Sequence, residues 1–152
     1  MYTKQEAKQL RKDYWDQFKT WSGYLRIKKG RKGRWLMNDT GIRQIQLKFH
    51  FDEHFAFVGI VIHTRNLEKR LELWQKLENL QNILEQKADF PIRWEKIFML
   101  HELKQVSGIY SSLESVTIYN RDDWKTVNDF FYKRMTLFED FFLEYRDYLK
   151  YQ

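Results

Sequence analysis

The chain has no cysteine. That absence removes disulfides, thiolate metal sites, thiol nucleophiles and thiol redox chemistry together. It also agrees with a reducing compartment, so the expected localisation is cytoplasmic. Proline occurs once, at Pro91, and glycine six times in 152 residues. No flexible or proline-rich linker can be drawn from so few. Residues 1–152 therefore read as a single domain, with no internal repeat. A chain of this length buries roughly 68–70% of its unfolded surface, so its core needs no covalent or metal staple. No apolar run approaches the roughly 18 uncharged residues of a membrane span, so no membrane partner is expected. The opening Met1-Tyr2-Thr3-Lys4-Gln5-Glu6 lacks the apolar region of a signal peptide. Glycine cradles for phosphate and the nucleophile elbow of hydrolases are missing too. No cofactor is expected.

Aromatic residues are abundant, with 12 Phe, 9 Tyr and 6 Trp. Most fall at core-like spacing, so a bulky core is the first reading and an interface the second. The formal net charge is +6, and its placement is uneven. Arg26, Lys28, Lys29, Arg31, Lys32 and Arg34 follow one another with no acid between them. Without those six, the 27 basic residues fall to 21 and balance the 21 acidic ones.

Thr3 and Glu6 form a capping box that starts a helix. Ala7, Leu10, Tyr14, Phe18 and Trp21 then recur at helical spacing, and Gly23 is the expected end. The basic segment, punctuated by Gly30 and Gly33, reads as a loop or mobile hairpin. Trp35-Leu36-Met37 reads as a short strand before a turn at Asn38-Asp39-Thr40-Gly41. Ile45, Leu47, Phe49 and Phe51 alternate with polar residues, the pattern of a strand with one wet face. Phe55 to Ile62 is apolar on both faces, which places it centrally or against a helix or partner. A second helix is expected from the N-cap Asn66 to Lys87, ended by Asp89-Phe90-Pro91. A strand follows from Ile92 to Leu100. Gly108 to Leu113 is undecided, and Val116 to Tyr119 reads as the last strand. Asn120 caps a final helix whose stripe runs Trp124, Val127, Phe131, Met135, Phe138, Phe142, Tyr145 and Leu149. Phe130, Leu137 and Phe141 widen that stripe. The fold class is α+β: about five mainly antiparallel strands packed by three helices, in the order α-β-β-β-α-β-β-α.

Several of these segments together resemble a bacterial family known as a domain of unknown function, DUF4268. The resemblance rests on Tyr2-Thr3-Lys4-Gln5-Glu6-Ala7 with Tyr14-Trp15, on Thr40-Gly41-Ile42, and on Val116-Thr117-Ile118-Tyr119-Asn120 with Asp123-Trp124. It covers nearly the whole chain. It implies a domain found alone, or at the C-terminal side of longer proteins that look like nucleases or restriction-related proteins. It carries over no catalytic residue.

Four constellations are candidates for chemistry. Asp89, Glu102 and Lys104 match the loose pattern of metal-dependent nucleases, in which carboxylates hold a divalent ion and a lysine steadies water. Asp39 with Gln46 and Lys48 is a weaker version. His50, Asp52 and His54 are spaced to share a strand face, although Asp52 to His54 also reads as a turn; His63 and His101 add little. All these patterns also arise as ordinary solvated surface. The basic segment, flanked by Tyr24 and Trp35, is the strongest lead. Its cations are suited to phosphates and its aromatics to a stacked base. A solvated loop that only aids solubility is the competing reading.

Two functional expectations follow. The first is a non-enzymatic intracellular interaction module, homodimeric through the aromatic helix and the doubly apolar strand. The second is a nucleic-acid-associated accessory domain in a defence or repair setting, using Arg26, Lys28, Lys29, Arg31, Lys32, Arg34 and Trp35. A metal-dependent nuclease ranks third.

Overall fold

The structure is a computed structural model that describes residues 2–101 and 104–151. Helix α1 (Lys4–Lys28) begins at the expected capping box. The Glu6 amide donates to Thr3 Oγ1, and the Thr3 amide donates back to Glu6 Oε1, both at 3.1 Å. Tyr14, Phe18, Ser22 and Arg26 form its buried stripe. The helix does not stop at Gly23. It runs on to Lys28, and Gly30 (φ 77°) turns the chain out of it. The Gly30 amide reaches Ile27 O at 3.0 Å and the Arg31 amide reaches Arg26 O at 2.8 Å, which is glycine's usual place just past a helix end. Gly23 serves proximity instead. A Cβ there would stand 3.5 Å from Gly33 O, in the segment that folds back over the helix.

Four strands form one antiparallel sheet: β1 (Ile45–Phe51), β2 (Phe55–Ile62), β3 (Arg93–His101) and β4 (Lys104–Glu114). Their spatial order is β1-β2-β4-β3. The apolarity of β2 on both faces is explained by its central place. The helices α2 (Leu67–Glu78), α3 (Gln81–Lys87) and α4 (Trp124–Tyr151) complete the fold, with a single 3-10 turn at Arg121–Asp123 before α4. One face of the sheet carries Ile45, Leu47, Phe51, Ala56, Val58, Ile60, Ile62 and Ile109. These pack with α4 residues Phe131, Met135, Phe138 and Phe142 into the main core. Phe57, Val61, Val106 and Tyr110 are also buried but lie outside that core. They occupy the opposite, helix-free face of the sheet.

The α+β class holds, while among the described residues the count is four strands and four helices. Trp35-Leu36-Met37 is not a strand. One bond, from the Leu47 amide to Met37 O at 2.9 Å, ties it to β1, and Met37 has φ 36°. Gly108 to Leu113 belongs to β4. Val116 to Tyr119 has no ladder either. Its backbone is taken by other partners: the Ile118 amide donates to Asp52 O, the Thr117 amide to Asp123 Oδ2, and Trp124 Nε1 to Ile118 O. The span from Asn66 to Lys87 is two helices, broken at Asn79 and Leu80.

Two predictions concern this frame. Gly59 lies in the middle of β2, and a Cβ there would come within 2.7 Å of Tyr110 Cα and Cβ. Gly59→Ala is therefore expected to cost about 1–3 kcal/mol through overpacking, read by urea denaturation. The Asp52 carboxylate closes the β1–β2 hairpin by accepting from the His54 and Phe55 amides at 2.8 and 3.0 Å. Asp52→Ala is expected to cost about 1 kcal/mol at neutral pH. Burial works to raise the Asp52 pKa, but the bonds from His50, His54 and Phe55 outweigh it and leave the pKa lowered. A lowered carboxylate pKa gives stability that is present above the unfolded value and lost as pH falls through the folded one. The gap between wild type and Asp52→Ala should therefore narrow below about pH 4.

Candidate functional site

The basic segment is organised by a buried ion pair. Arg26, in the last turn of α1, is 2% exposed, and Glu139, midway along α4, is 3% exposed. Arg26 Nη1 meets Glu139 Oε1 at 3.1 Å. The other two nitrogens hold the returning chain by its backbone: Nε donates to Lys32 O at 2.8 Å and Nη2 to Arg34 O at 3.0 Å. The guanidinium also lies 4.0 Å from the centroid of the Trp35 ring, a cation–π contact. Glu139 Oε2 accepts the Leu36 amide at 3.3 Å. Arg31 bridges Glu139 and Asp140. Residues 29–39 are thus a strap wound around a desolvated charge pair.

This corrects the picture of six equivalent cations on a mobile loop. Arg26 is inside the fold and Arg31 is engaged by two acids, so neither is a free phosphate ligand. Lys28, Lys29, Lys32 and Arg34 are exposed, and none of the four forms an ion pair among the described residues. Trp35 is half-buried, edge-on to Phe49 at 5.6 Å and to Tyr132 at 5.9 Å.

Between α1 and the strap lies a cleft of about 1000 Å³. Trp15, Phe18, Trp35 and Phe49 give it aromatic walls, and Lys19, Lys32 and Arg34 stand among the residues that line it. Asp39 is the one acid of that lining. Several of these residues were not singled out in the sequence. Lys19, Trp15 and Phe18 look like ordinary members of an amphipathic helix, and only the returning strap makes them a wall. Glu139 did leave a signal. It sits between Phe138 and Phe142, on the apolar side of α4, where an unpaired charge would be costly.

The other constellations separate. Asp89 is exposed before β3 and accepts from Lys133 Nζ at 3.3 Å. Lys104 lies at the far end of the β3–β4 hairpin, paired with His101. The length of β3 puts roughly 25–30 Å between them. Glu102 lies outside the described residues. Asp39 lines the cleft, whereas Lys48 belongs to the other face of β1 from Phe49. His50 Nε2 bonds Asp52 Oδ2 at 2.7 Å, while Asp52 Oδ1 holds the hairpin turn. His54 is exposed and faces Glu53 at 3.9 Å. Among the described residues no group of three or more His, Cys, Asp or Glu is placed to hold a metal ion, and no helix is long and apolar enough to cross a membrane.

The strap, the residues that line the cleft and the whole sheet fall within one family match. The family described as Domain of unknown function (DUF4268) matches residues 10–146. The chain belongs to the DUF4268 family. No curated protein and no solved structure matches it. In this DUF4268 domain the matched span takes in both Arg26 and Glu139, so the buried pair and the strap it holds are internal to the family's region.

Removing one partner of the pair leaves the other buried and uncompensated. Arg26→Ala and Glu139→Ala are each expected to cost about 3–5 kcal/mol in chemical denaturation. A loss below about 1 kcal/mol, the size of an exposed surface pair, would mean that the pair does not organise the strap.

Proposed function

We propose that this DUF4268 domain is a non-enzymatic binding module for nucleic acid, with the strap as its contact surface. One observation carries the reading: four exposed cations without counter-ions lie on or beside an aromatic cleft. Lys28, Lys29, Lys32 and Arg34 suit phosphates, which supply the sequence-independent share of affinity. Trp35 and Trp15 line the cleft, and such aromatic surface suits an unstacked base. A rigid anchor adds to this. The Arg26–Glu139 pair fixes the strap before any ligand arrives, so little ordering entropy opposes binding.

Self-association is the second reading, and α4 supports it less than its apolar pattern implied. Phe130, Phe131, Phe138, Phe141 and Phe142 are all buried within the domain. The helix-free face of the sheet is the surface that remains for a second copy.

Fluorescence anisotropy of a labelled single-stranded oligonucleotide tests the nucleic-acid reading. Four phosphate contacts predict a loss of about 50-fold in affinity between roughly 50 and 200 mM salt. Replacing Lys28, Lys29, Lys32 and Arg34 by Gln should flatten that dependence. Affinity and salt slope equal to wild type in the fourfold variant would overturn the reading.

A further inference from the structure

The face of the sheet that carries no helix holds a second concentration of positive charge. Strand register places it. Lys48 stands opposite Gly59, and Gly59 opposite Tyr110. Gly59 has no side chain, so nothing rises between Lys48 and the Tyr110 ring. Ile62 pairs with Ser107, which sets His63, the next residue, beside Val106. Lys104 precedes Val106 by two residues and so shares its face. His63 and Lys104 therefore stand toward one end of the face, and Lys48 lies on the same face at its middle, level with Gly59 and Tyr110. Burial, and then the Lys104 charge, hold both the Lys48 ammonium and the His63 imidazole below their ordinary pKa values. None of the three forms an ion pair among the described residues. Among the described residues one acid, Glu95, shares the centre of this face, in register with Gly108, and the others lie away from the cations. Glu95 accepts from Tyr110 Oη at 2.8 Å, Asp52 is held by His50 and the hairpin turn, and Glu114 pairs in register with Phe55 at the other end.

Beside the cations lies a run of rings. Phe98 stacks on Tyr110 at 5.2 Å and 23°, Tyr110 lies 5.5 Å from Phe57, and Phe57 stacks on His50 at 4.9 Å and 15°. Phe98 is half-buried and lies over Gly108, where a Cβ would meet its ring at 3.5 Å. Phe57 and Tyr110 are 4% and 8% exposed, and Val61 and Val106 are fully buried. This face has already covered most of its own apolar area. A second copy laid on it would gain little burial. What the face leaves unsatisfied is charge.

We infer that the open face of the sheet is a second nucleic-acid site, in which Lys48 at the middle of the face and Lys104 with His63 toward its end follow the phosphate backbone of a single strand, and Phe98, level with Val106 between them, carries a base. Single strands are bound in this way, by cations that track the backbone and rings that accept any base. The residues are distinct from those of the strap, so this site stands or falls separately.

The test uses the full chain and a short oligouridylate carrying photoreactive iodouracil, with crosslinks mapped by mass spectrometry. Crosslinks are expected on the peptide containing Phe98 or Tyr110, in wild type and equally in the strap variant lacking Lys28, Lys29, Lys32 and Arg34. Lys48→Ala with Lys104→Ala should abolish them and lower affinity by about tenfold, with a melting temperature no lower than wild type because the two cations repel one another. Phe98→Tyr, which keeps the ring, should retain the crosslink if the phenylalanine variant Phe98→Ala fails to fold. Crosslinks confined to the strap and cleft would overturn the inference and leave the strap reading standing. Crosslinks on the sheet that persist in the double lysine variant would overturn it as well. So would a dimer in light scattering that the oligonucleotide does not dissociate, since a second copy would then occupy the face.

Discussion

The strap depends on one buried contact, the ion pair of Arg26 with Glu139. Taking both charges out of water is costly, and their attraction alone does not guarantee a net gain. The surrounding bonds offset that cost. The three guanidinium nitrogens bond Glu139, Lys32 O and Arg34 O, and the Trp35 ring covers the group. Both Glu139 oxygens are occupied as well. The pair links the end of the first helix to the middle of the last, across 113 residues of sequence. Its formation requires α1 to continue beyond Gly23, since Arg26 must stand on the same helical stripe as Tyr14, Phe18 and Ser22.

Much of the frame was legible in the sequence. The capping box at Thr3 and Glu6, the alternation of β1 and the N-caps at Asn66 and Asn120 all appear where local chemistry placed them. The two apolar faces of β2 pointed to a central place or to cover by a helix or partner, and β2 is central in the sheet. What was not legible shares one cause: partners distant in sequence. Trp35 to Met37 and Val116 to Tyr119 have strand-like composition, yet their backbone groups are claimed by Glu139, Asp52 and Asp123 rather than by a ladder. Gly23 and Gly30 both look like helix ends, and only the position of Arg26 decides between them. The same holds for the cleft. Trp15 and Lys19 become its walls because the strap returns, and no local pattern announces that return.

The two faces of the sheet divide the molecule into unlike halves. On one, helices α1, α2, α3 and α4 contribute to a shared aromatic core. Tyr14 is at its centre, edge-on to Trp15, Phe51 and Trp124 and bonded through its hydroxyl to Asn128. Burial drives the Tyr14 phenol far above its ordinary pKa, so it acts as a fixed, neutral donor. On the other face the rings cover one another without a helix, and β3 and β1 remain the edges of the sheet. Ile97 and Met99, exposed on β3 near the bulge at residues 95–98, show where that edge departs from regular pairing. Such irregularity discourages edge-to-edge association of strands.

Arg26 grips the strap through the carbonyl oxygens of Lys32 and Arg34, and Glu139 through the amide of Leu36. None of these three bonds involves the side chain of the strap residue. The strap is therefore gripped by its main chain, with the Arg31 side chain and the Trp35 ring added, while the side chains of Lys28, Lys29, Lys32 and Arg34 take no part. Lysines 28, 29 and 32 and Arg34 can be exchanged for other residues without altering what the anchor holds. The strap is a fixed clasp whose exposed cations can vary without loosening it.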